Sequence, residues 1–237
     1  GQFIYGEPAG LDAGYDWPQY SIHRGDLQMA LWAAVRQRLG DDCVTVNARC
    51  TGVEQDADTV TARFKDNNGN ALPPVRGRIA VGCDGIHSAL RKQLYPQEGA
   101  PRYSGVNMWR GTTRCKPFLS GASMVRAGWL STGKMVIYPI RDNIDANGDQ
   151  LVNWVAEIEA AEPAVRDWNR SGRLEDFFPA FSDWHFDWLD VARLIQDADA
   201  ILEYPMVDQD PLPTWTKGRM TLLGDAAHPM VCLLYTS

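Results

Sequence analysis

The sequence predicts an α/β protein in which a nucleotide-binding domain is interrupted by a strand-rich second domain. Three observations lead to this prediction. The first hundred residues combine a helical pattern with short strands, the segments after about Pro101 are longer and strand-like with glycine-rich joins, and residues 219–223 form another short apolar strand. The α/β pattern therefore stops and returns, as expected when one domain is inserted into another.

The first predicted element is a helix, which follows about 20 residues that we interpret as loop and short strand. Its apolar side chains recur at helical spacing, at Leu27, Leu31, Ala34, Val35 and Leu39. Asp26 is suited to cap the beginning of this helix, and Gly40 is suited to end it. Strands are then predicted at residues 44–47 and 60–64, and turn chemistry at residues 66–70.

Two further strands are each predicted to run into an acidic turn. The apolar strand at residues 78–83 is followed directly by Asp84 and Gly85, after which Ser88 is suited to cap a helix through Leu94. The returning strand at residues 219–223 ends in Gly224 and Asp225. Between them we predict strands at residues 107–114, 135–140, 151–159 and 201–207, helical stretches at residues 174–181 and 188–195, and a proline-marked linker at residues 211–213.

Composition excludes several classes of protein. The chain has 237 residues and a net charge of −7, and its lysines and arginines form no run, so we expect no nucleic-acid partner. No stretch approaches the roughly 18 apolar residues of a membrane helix, and no secretory signal opens the chain, so we expect no membrane association. The five cysteines are widely spaced without a Cys-x-x-Cys pair, which favours reduced thiols in a cytoplasmic protein and no metal site.

The two acidic turns are the strongest candidates for a ligand site. In open α/β sheets the ligand crevice lies at the carboxyl ends of the strands. Glycine lets the backbone approach a bulky ligand, and the carboxylate can accept hydrogen bonds from sugar or ribityl hydroxyls. Either turn alone is more often an ordinary loop, since Asp-Gly is a common turn sequence.

The longer motifs carry a resemblance to a known family. Residues 84–91 (Asp-Gly-Ile-His-Ser-Ala-Leu-Arg) resemble the Asp-Gly fingerprint of the para-hydroxybenzoate hydroxylase family of class A flavoprotein monooxygenases. Residues 224–228 (Gly-Asp-Ala-Ala-His) resemble the second FAD fingerprint of this family. Residues 21–27 resemble its Arg-x-x-Leu segment, which opens a helix beside the flavin. The three motifs have the order and separation found in the family, and the resemblance extends to Met230.

The resemblance implies a fold, a reaction and a set of cofactor-binding residues. The fold is an incomplete FAD-binding Rossmann-like domain interrupted by a mixed β-sheet substrate domain with helices. The reaction is hydroxylation of an aromatic or heteroaromatic ring with NADH or NADPH and O2, through a flavin hydroperoxide, and it requires no catalytic side chain that we can name. The implied FAD-binding residues are Arg24, Ala48, Asp84, Gly85, Gly224 and Asp225. Arg24 is assigned to the ribityl-pyrophosphate region, Asp225 to the ribityl chain and Ala48 to a backbone contact near the adenine, whereas Asp84 lies in a groove shared with the nicotinamide cofactor.

Within this family the sequence is most similar to the phenazine-1-carboxylate hydroxylase branch and its salicylate-hydroxylase-like relatives. Examples are residues 15–20, 108–111, 151–154 and 204–208. The motifs place the FAD-binding domain at residues 1–100, the substrate-binding domain at residues 101–210 and the return of the FAD-binding domain at residues 211–231. A small aromatic substrate is therefore the expected partner.

The sequence also departs from the family pattern at both ends. It has no Gly-x-Gly-x-x-Gly after an N-terminal strand and no Pro-x-Gly turn with a long helix after the second fingerprint. Residues 232–237 fit no family pattern, and their codons would match a transposon-end sequencing adapter, so we expect a non-native tail. We therefore expect this chain alone to fold poorly, bind FAD weakly and be inactive, because apolar sheet edges would be exposed.

Several alternatives stay open at this point. If the hydroxylase hypothesis is wrong, two alternatives remain. The parent protein is then either an FAD-dependent reductase or dehydrogenase without oxygen insertion, or a non-catalytic nucleotide-binding remnant. Asp183, His185 and Asp187 are interpreted as solvated edge residues and not as a metal site, and His228 as a residue that holds its turn. Trp168, Trp184 and Trp188 are interpreted as core. Trp109, Arg110 and Tyr138 are candidates to face the substrate, but the sequence does not fix their faces.

Overall fold

A computed structural model describes residues 1–160 and 170–230 of the protein. The first part contains α1 (Arg24–Leu39), β1 (Arg49–Gln55), β2 (Val60–Lys65), β3 (Ala71–Gly77), β4 (Ala80–Gly82) and α2 (Ala89–Leu94). The middle part contains β5 (Arg102–Cys115), β6 (Val125–Trp129), β7 (Gly133–Arg141), β8 (Gln150–Glu159), β9 (Arg170–Ser171), α3 (Leu174–Phe177), β10 (His185–Phe186), β11 (Leu189–Asp190), α4 (Val191–Gln196) and β12 (Ile201–Asp208). The last described part contains β13 (Thr216–Lys217), β14 (Met220–Leu222) and a 3-10 turn (Gly224–Ala226).

The chain divides into two compact units. One comprises Gly1–Ala34 and Gly105–Pro205, and we call it the large-sheet unit. The other comprises Val35–Ser104 and the chain from Met206 onward, and we call it the parallel-strand unit. The predicted α/β class is confirmed, and the domain boundaries remain predictions.

The large-sheet unit is built on a six-stranded sheet with the strand order β6-β7-β8-β5-β12-β9. One face of this sheet carries an aromatic core, in which Trp109 stacks on Phe177 at 5.0 Å between ring centroids and Trp154 is fully buried. Thr113 joins this face to α4: its hydroxyl donates to Leu194 O at 2.6 Å and accepts from Trp154 Nε1 at 3.1 Å. Helices and sheet are therefore held by apolar packing and by a buried hydrogen-bonded pair.

The parallel-strand unit contains two small sheets. Strands β1, β2 and β3 form an antiparallel sheet, and β13, β14 and β4 form the second. In the second sheet β14 and β4 are parallel, with Met220 opposite Ala80 and Leu222 opposite Gly82. The core of this unit consists of apolar side chains from both sheets, α2 and the turn after β14, namely Val53, Val60, Leu90, Met220, Leu222, Ala226 and Ala227.

Most predicted elements are confirmed, with shifts of a few residues at their ends. The predicted strand at residues 44–47 is wrong, because this segment is irregular and Asn47 has a left-handed φ of 55°. The predicted helix at residues 188–195 begins later, at Val191, since Leu189 and Asp190 pair with β10. Asp26 is not a cap: α1 already begins at Arg24, and the Asp26 carboxylate instead accepts from Arg141.

Trp184 and Trp188 pack against the aromatic core, as predicted, with Trp184 edge-on to Phe181 and Trp188 stacked on Phe186. Trp168 and residues 231–237, which include Cys232 and the predicted tail, lie outside the described residues. The four cysteines in the described parts carry free thiols. Burial raises the pKa of the Cys50 and Cys115 thiols, which disfavours the reactive thiolate.

Candidate functional site

The two acidic turns leave the carboxyl ends of neighbouring parallel strands. Gly82 ends β4 and lies opposite Leu222, which ends β14. Leu223 N donates to Gly82 O at 2.9 Å, so the chain remains paired up to the beginning of the second turn. Because parallel strands present their carboxyl ends at one edge, both turns lie at the edge where α/β sheets bind ligands.

The first turn is organised by its own carboxylate. Asp84 accepts hydrogen bonds from Ser88 Oγ at 2.5 Å and from Ala89 N at 2.7 Å, while Ser88 Oγ caps α2 by accepting from Arg91 N at 3.0 Å. The predicted Ser88 cap is confirmed. Gly85 has a φ of 76°, which an L-residue adopts only with strain, and no atom lies within 4 Å of the position a Cβ would take. Asp84 thus shapes the turn, while its half-buried neighbour Gly85 leaves open space where a side chain would otherwise lie.

The second turn has an exposed and unengaged carboxylate. Gly224 has a φ of 61° with open space around it, and Asp225 is exposed. Within residues 1–160 and 170–230, the Asp225 carboxylate has no hydrogen-bond or ion-pair partner. The turn itself is fixed, because Ala226 and Ala227 are buried and His228 N donates to Gly224 O at 3.0 Å. A fixed backbone therefore presents a free acceptor to solvent.

Arg91 connects the two turns and is a residue to which sequence reasoning assigned no role. Its side chain is 2% exposed, and it forms two hydrogen bonds with Glu98, at 2.7 and 2.5 Å. It also donates to Ala227 O at 2.8 Å and to Ala226 O at 3.2 Å. The helix that follows the first turn therefore holds the backbone of the second. The place of Arg91 in the Asp-Gly motif is the feature of the sequence that could have indicated this role.

His228 lies beside Trp215, with the two rings stacked at 5.0 Å between centroids. The same two residues line an open cleft of about 560 Å³, together with Arg102, Asp208 and a proline-rich segment. The bond of His228 to Gly224 is made by its backbone, so a role of the His228 side chain in holding the turn stays a prediction.

The remaining predicted site residues lie on α1 and before β1. Arg24 is the first residue of α1 and is exposed, and Ala48 directly precedes β1. Asp26 is bound by Arg141, whose Nε lies 2.5 Å from Asp26 Oδ2 and whose Nη2 contacts Oδ1. This hydrogen bond holds the pKa of Asp26 below its ordinary range.

The face of the six-stranded sheet opposite the aromatic core carries polar groups. Trp109 belongs to the core, and strand alternation therefore places Arg110 on this opposite face. There Asn153 lies opposite Thr112 on β5 and Tyr138 on β7, and the Arg110 guanidinium lies 5.5 Å from the centre of the Tyr204 ring. Asn153 is 7% exposed, and its Nδ2 has no hydrogen-bond partner within the described parts of the chain. We call Arg110, Thr112, Tyr138, Asn153 and Tyr204 the polar sheet face.

The residues at the parallel edge suit a flavin nucleotide. A free carboxylate at Asp225 matches the hydroxyls of a ribityl chain, and the open positive-φ glycines Gly85 and Gly224 permit close approach of the backbone. No group of three or more potential metal ligands occurs in the described residues. Nor does any helix in those ranges have the length and apolar character needed to cross a bilayer. The described chain is an α/β protein with a candidate nucleotide-binding edge at these two turns.

Comparison with known proteins identifies the class more closely. Residues 18–168 match the family model described as FAD binding domain, and the chain belongs to this FAD-binding family. It is 43% identical over 231 residues to the phenazine 1,6-dicarboxylic acid hydroxylase PhzS of Lysobacter antibioticus. This alignment covers 96% of this chain and 57% of that protein. It is 35% identical over 219 residues to the 3-amino-4-hydroxybenzoate 2-monooxygenase PtnB3 of Streptomyces platensis, covering 92% of this chain and 50% of that protein.

The structural comparison supports the same fold. A salicylate hydroxylase solved as a substrate complex has a TM-score of 0.64 at 21% identity, covering 93% of this chain and 54% of that chain. The chain thus spans about half the length of the relatives that it matches. The predicted family is confirmed, as is the resemblance to phenazine-modifying and salicylate-hydroxylase-like members.

Proposed function

We propose that the protein is an FAD-dependent monooxygenase that inserts one oxygen atom into an aromatic or heteroaromatic carboxylate, using NADH or NADPH and O2. The observation that carries this proposal is the unengaged Asp225 carboxylate on a fixed turn beside the Asp84 turn. The family match supports FAD as the cofactor. The two curated relatives support the chemical class, since both are named for hydroxylation of an aromatic acid.

FAD, when bound, would accept electrons from the nicotinamide cofactor and would activate O2. The residues of this chain bind and orient it. Asp225 accepts from ribityl hydroxyls, the guanidinium of Arg24 donates to the pyrophosphate, and Ala48 contacts the adenine through its backbone. Gly85 and Gly224 allow close approach, and Asp84 keeps the first turn in shape at the groove used by the nicotinamide cofactor.

The polar sheet face is the proposed surface for the aromatic acid. A planar carboxylate needs donors at one end and apolar contacts along the ring. Asn153 Nδ2 supplies a buried donor without a partner in the described residues, and the Tyr138 hydroxyl and Arg110 add polar groups on adjacent strands. Leaving such a donor unsatisfied costs about 1–3 kcal/mol, so a bound carboxylate or ring oxygen that accepts from Asn153 would be favoured.

Further proposed properties concern the partners, the location and the domain boundaries of the protein. We propose a small-molecule substrate, no nucleic-acid or membrane partner, and a cytoplasmic location. We also propose an FAD-binding domain at residues 1–100 and 211–231 around a substrate-binding domain at residues 101–210.

The test measures the product. The protein expressed from its complete reading frame is reduced with NADH or NADPH in the presence of aromatic and phenazine carboxylates under ¹⁸O2. We expect FAD to co-purify and one ¹⁸O atom to appear in the product of at least one acid. NAD(P)H oxidation with no labelled product from any acid would contradict oxygen insertion and favour the reductase alternative, and absence of FAD binding would contradict the proposal as a whole. Asn153→Leu is expected to raise the KM for the accepted acid without changing FAD affinity.

A further inference from the structure

The buried Arg91 side chain is held on two sides within the parallel-strand unit. Its Nε and Nη2 donate to the two carboxylate oxygens of Glu98, at 2.7 and 2.5 Å. Its Nη1 donates to Ala227 O at 2.8 Å and to Ala226 O at 3.2 Å, on the turn that carries Asp225. All of these residues belong to one compact unit, so the contacts that lead from Glu98 to the second acidic turn involve no residue of the large-sheet unit.

The contact with Glu98 fixes the orientation of the whole guanidinium group. This group is planar, and two parallel hydrogen bonds to one carboxylate determine the direction of its plane as well as its distance. Because Nη1 lies in the same plane, the carboxylate that binds Nε and Nη2 also sets the direction in which Nη1 donates. Without Glu98, Arg91 keeps only hydrogen bonds to carbonyl oxygens, which include one from Nη2 to Asp210 O at 3.2 Å. Glu98 is therefore the partner that determines where Nη1 points.

Glu98 is itself tied to the end of α2. Its backbone N donates to Tyr95 O at 3.1 Å, and Tyr95 N donates to Arg91 O at 2.8 Å. The Tyr95 hydroxyl also donates to Thr214 O at 2.6 Å, on the chain that leads into β13. The Glu98 side chain is 22% exposed and its partner is buried, so solvent screens this ion pair less than a surface pair. Removal of the carboxylate would leave a buried cation without its counterion.

We propose that Glu98 is a positioning residue for the cofactor. By orienting the guanidinium of Arg91, it holds the backbone of the second turn and keeps the Asp225 carboxylate in place to accept from the ribityl chain of FAD. This inference rests on the proposed role of Asp225. The turn is also held by the hydrogen bond from His228 N to Gly224 O, so the expected effect of losing Glu98 on FAD affinity is moderate.

The experiment measures FAD affinity by flavin fluorescence in the protein expressed from its complete reading frame, after removal of bound flavin. It is carried out at a temperature at which urea unfolding shows that every variant compared is folded. Glu98→Gln removes the charge and one of the two acceptors, and it is expected to weaken FAD binding by about tenfold. Glu98→Asp keeps the charge that balances Arg91 but is one methylene shorter, and it is expected to weaken FAD binding by about fivefold. If Glu98→Gln does not fold, Glu98→Asp decides the question.

A double variant separates positioning from a general structural effect. Asp225→Ala is expected to weaken FAD binding by about 10- to 100-fold. Asp225→Ala with Glu98→Asp is expected to bind FAD within about twofold of Asp225→Ala alone, because Glu98 acts on FAD through that carboxylate. A merely structural role of Glu98 would produce the same loss whether or not the Asp225 carboxylate is present.

The matched control is Glu54→Gln, the same change at an exposed glutamate on β1 that pairs with Arg63. Its FAD affinity is expected to stay unchanged. A loss as large as that of Glu98→Gln would mean that removal of any glutamate charge from this unit weakens FAD binding, and the positioning role would then be wrong.

The outcomes distinguish this inference from the proposed function. If Asp225→Ala weakens FAD binding but the Glu98 variants do not, the positioning role is wrong and the proposed function stands. Losses that multiply in the double variant also overturn the positioning role, since they show that Glu98 affects FAD by a route other than Asp225. If Asp225→Ala leaves FAD affinity unchanged, the proposed role of Asp225 is wrong, and the inference is wrong with it.

Discussion

Asp225 combines an exposed carboxylate with a rigid backbone. The flanking residues Ala226 and Ala227 are buried, and Arg91 binds both of their carbonyl oxygens. In the described residues the carboxylate itself contacts no donor. A carboxylate that contacts no donor contributes little to the stability of the fold and is free to accept hydrogen bonds from a ligand.

We therefore predict that Asp225→Ala separates binding from stability. Loss of a hydrogen-bonded carboxylate is expected to weaken FAD affinity by about 10- to 100-fold. The free energy of unfolding is expected to change by less than about 0.5 kcal/mol, as for other surface positions. Flavin fluorescence titration and urea unfolding measure the two quantities. Asp199→Ala, at another exposed aspartate, is the control, and a large stability loss at Asp225 would show that its carboxylate has a structural partner.

Asp26 offers a prediction about pH. The hydrogen bond from Arg141 is the main cause that lowers the pKa of Asp26, and His23, which directly precedes α1, adds a smaller effect in the same direction. Because the folded-state pKa lies below the unfolded value, the stabilisation is fully present above the unfolded pKa and is lost as pH falls through the folded pKa.

The measurement is an NMR titration of the Asp26 carboxyl carbon. We expect a midpoint below that of an ordinary aspartate, and we expect Arg141→Gln to move it upwards, towards the ordinary value. A midpoint that does not respond to Arg141→Gln would mean that the ion pair is absent in solution.

At the scale of elements, Arg91 joins α2 to the turn after β14. Its guanidinium is buried and donates to Glu98 and to three carbonyl oxygens, those of Asp210, Ala226 and Ala227. We predict that Arg91→Met lowers the free energy of unfolding by about 3–5 kcal/mol, because it leaves a partly buried carboxylate and three carbonyl oxygens without this donor. Urea unfolding provides the value.

The control for this prediction is Arg193→Met, on α4. Arg193 is 78% exposed and pairs with Asp197 one helical turn away, and such pairs contribute about 0.3–0.5 kcal/mol. Similar losses for the two variants would contradict the special role of Arg91.

Local chemistry explains which elements the sequence predicts correctly. Ser88 caps α2, and Asp66 accepts from the backbone of Asn68 and Asn70, as short-range patterns indicate. The errors depend on partners that are distant in the chain or on backbone conformation. Asp26 binds Arg141, which is 115 positions away, and Asn47 adopts a left-handed φ inside a segment rich in β-branched residues.

In the candidate site, too, local motifs were predicted correctly and features that depend on distant residues were not. The two acidic turns were predicted from their motifs, and their adjacency follows from the parallel pairing of β4 and β14. The faces of Trp109, Arg110 and Tyr138 required the register of the sheet, since a shift of one residue exchanges the two faces. No sequence pattern linked Arg141 to Asp26, because the two residues are 115 positions apart in the chain.

For the whole molecule, exposed apolar side chains are a notable surface property. They occur on α1, at Met29, Leu31 and Leu39, and at the beginning of β4, at Ile79 and Val81. We predict that Met29→Gln with Leu31→Gln decreases both ANS fluorescence and self-association of this chain. The free energy of unfolding is expected to change by less than about 0.5 kcal/mol, because neither side chain is buried.

The control is Arg38→Gln on the same helix, which alters charge without altering apolar exposure. A loss of more than about 1 kcal/mol in the glutamine double variant would show that α1 packs through this face in solution.

The parallel pairing of Ala80 with Met220 also has a consequence during biosynthesis. These partners are 140 positions apart in the chain. At about 5–20 residues per second, β14 is synthesised about 7–28 s after β4. During that interval the first acidic turn has no neighbour, and the carbonyl oxygens that Arg91 binds do not yet exist. The ligand edge is therefore completed only after nearly the whole described chain has been translated, and a nascent-chain chaperone has that interval in which to bind the exposed strand.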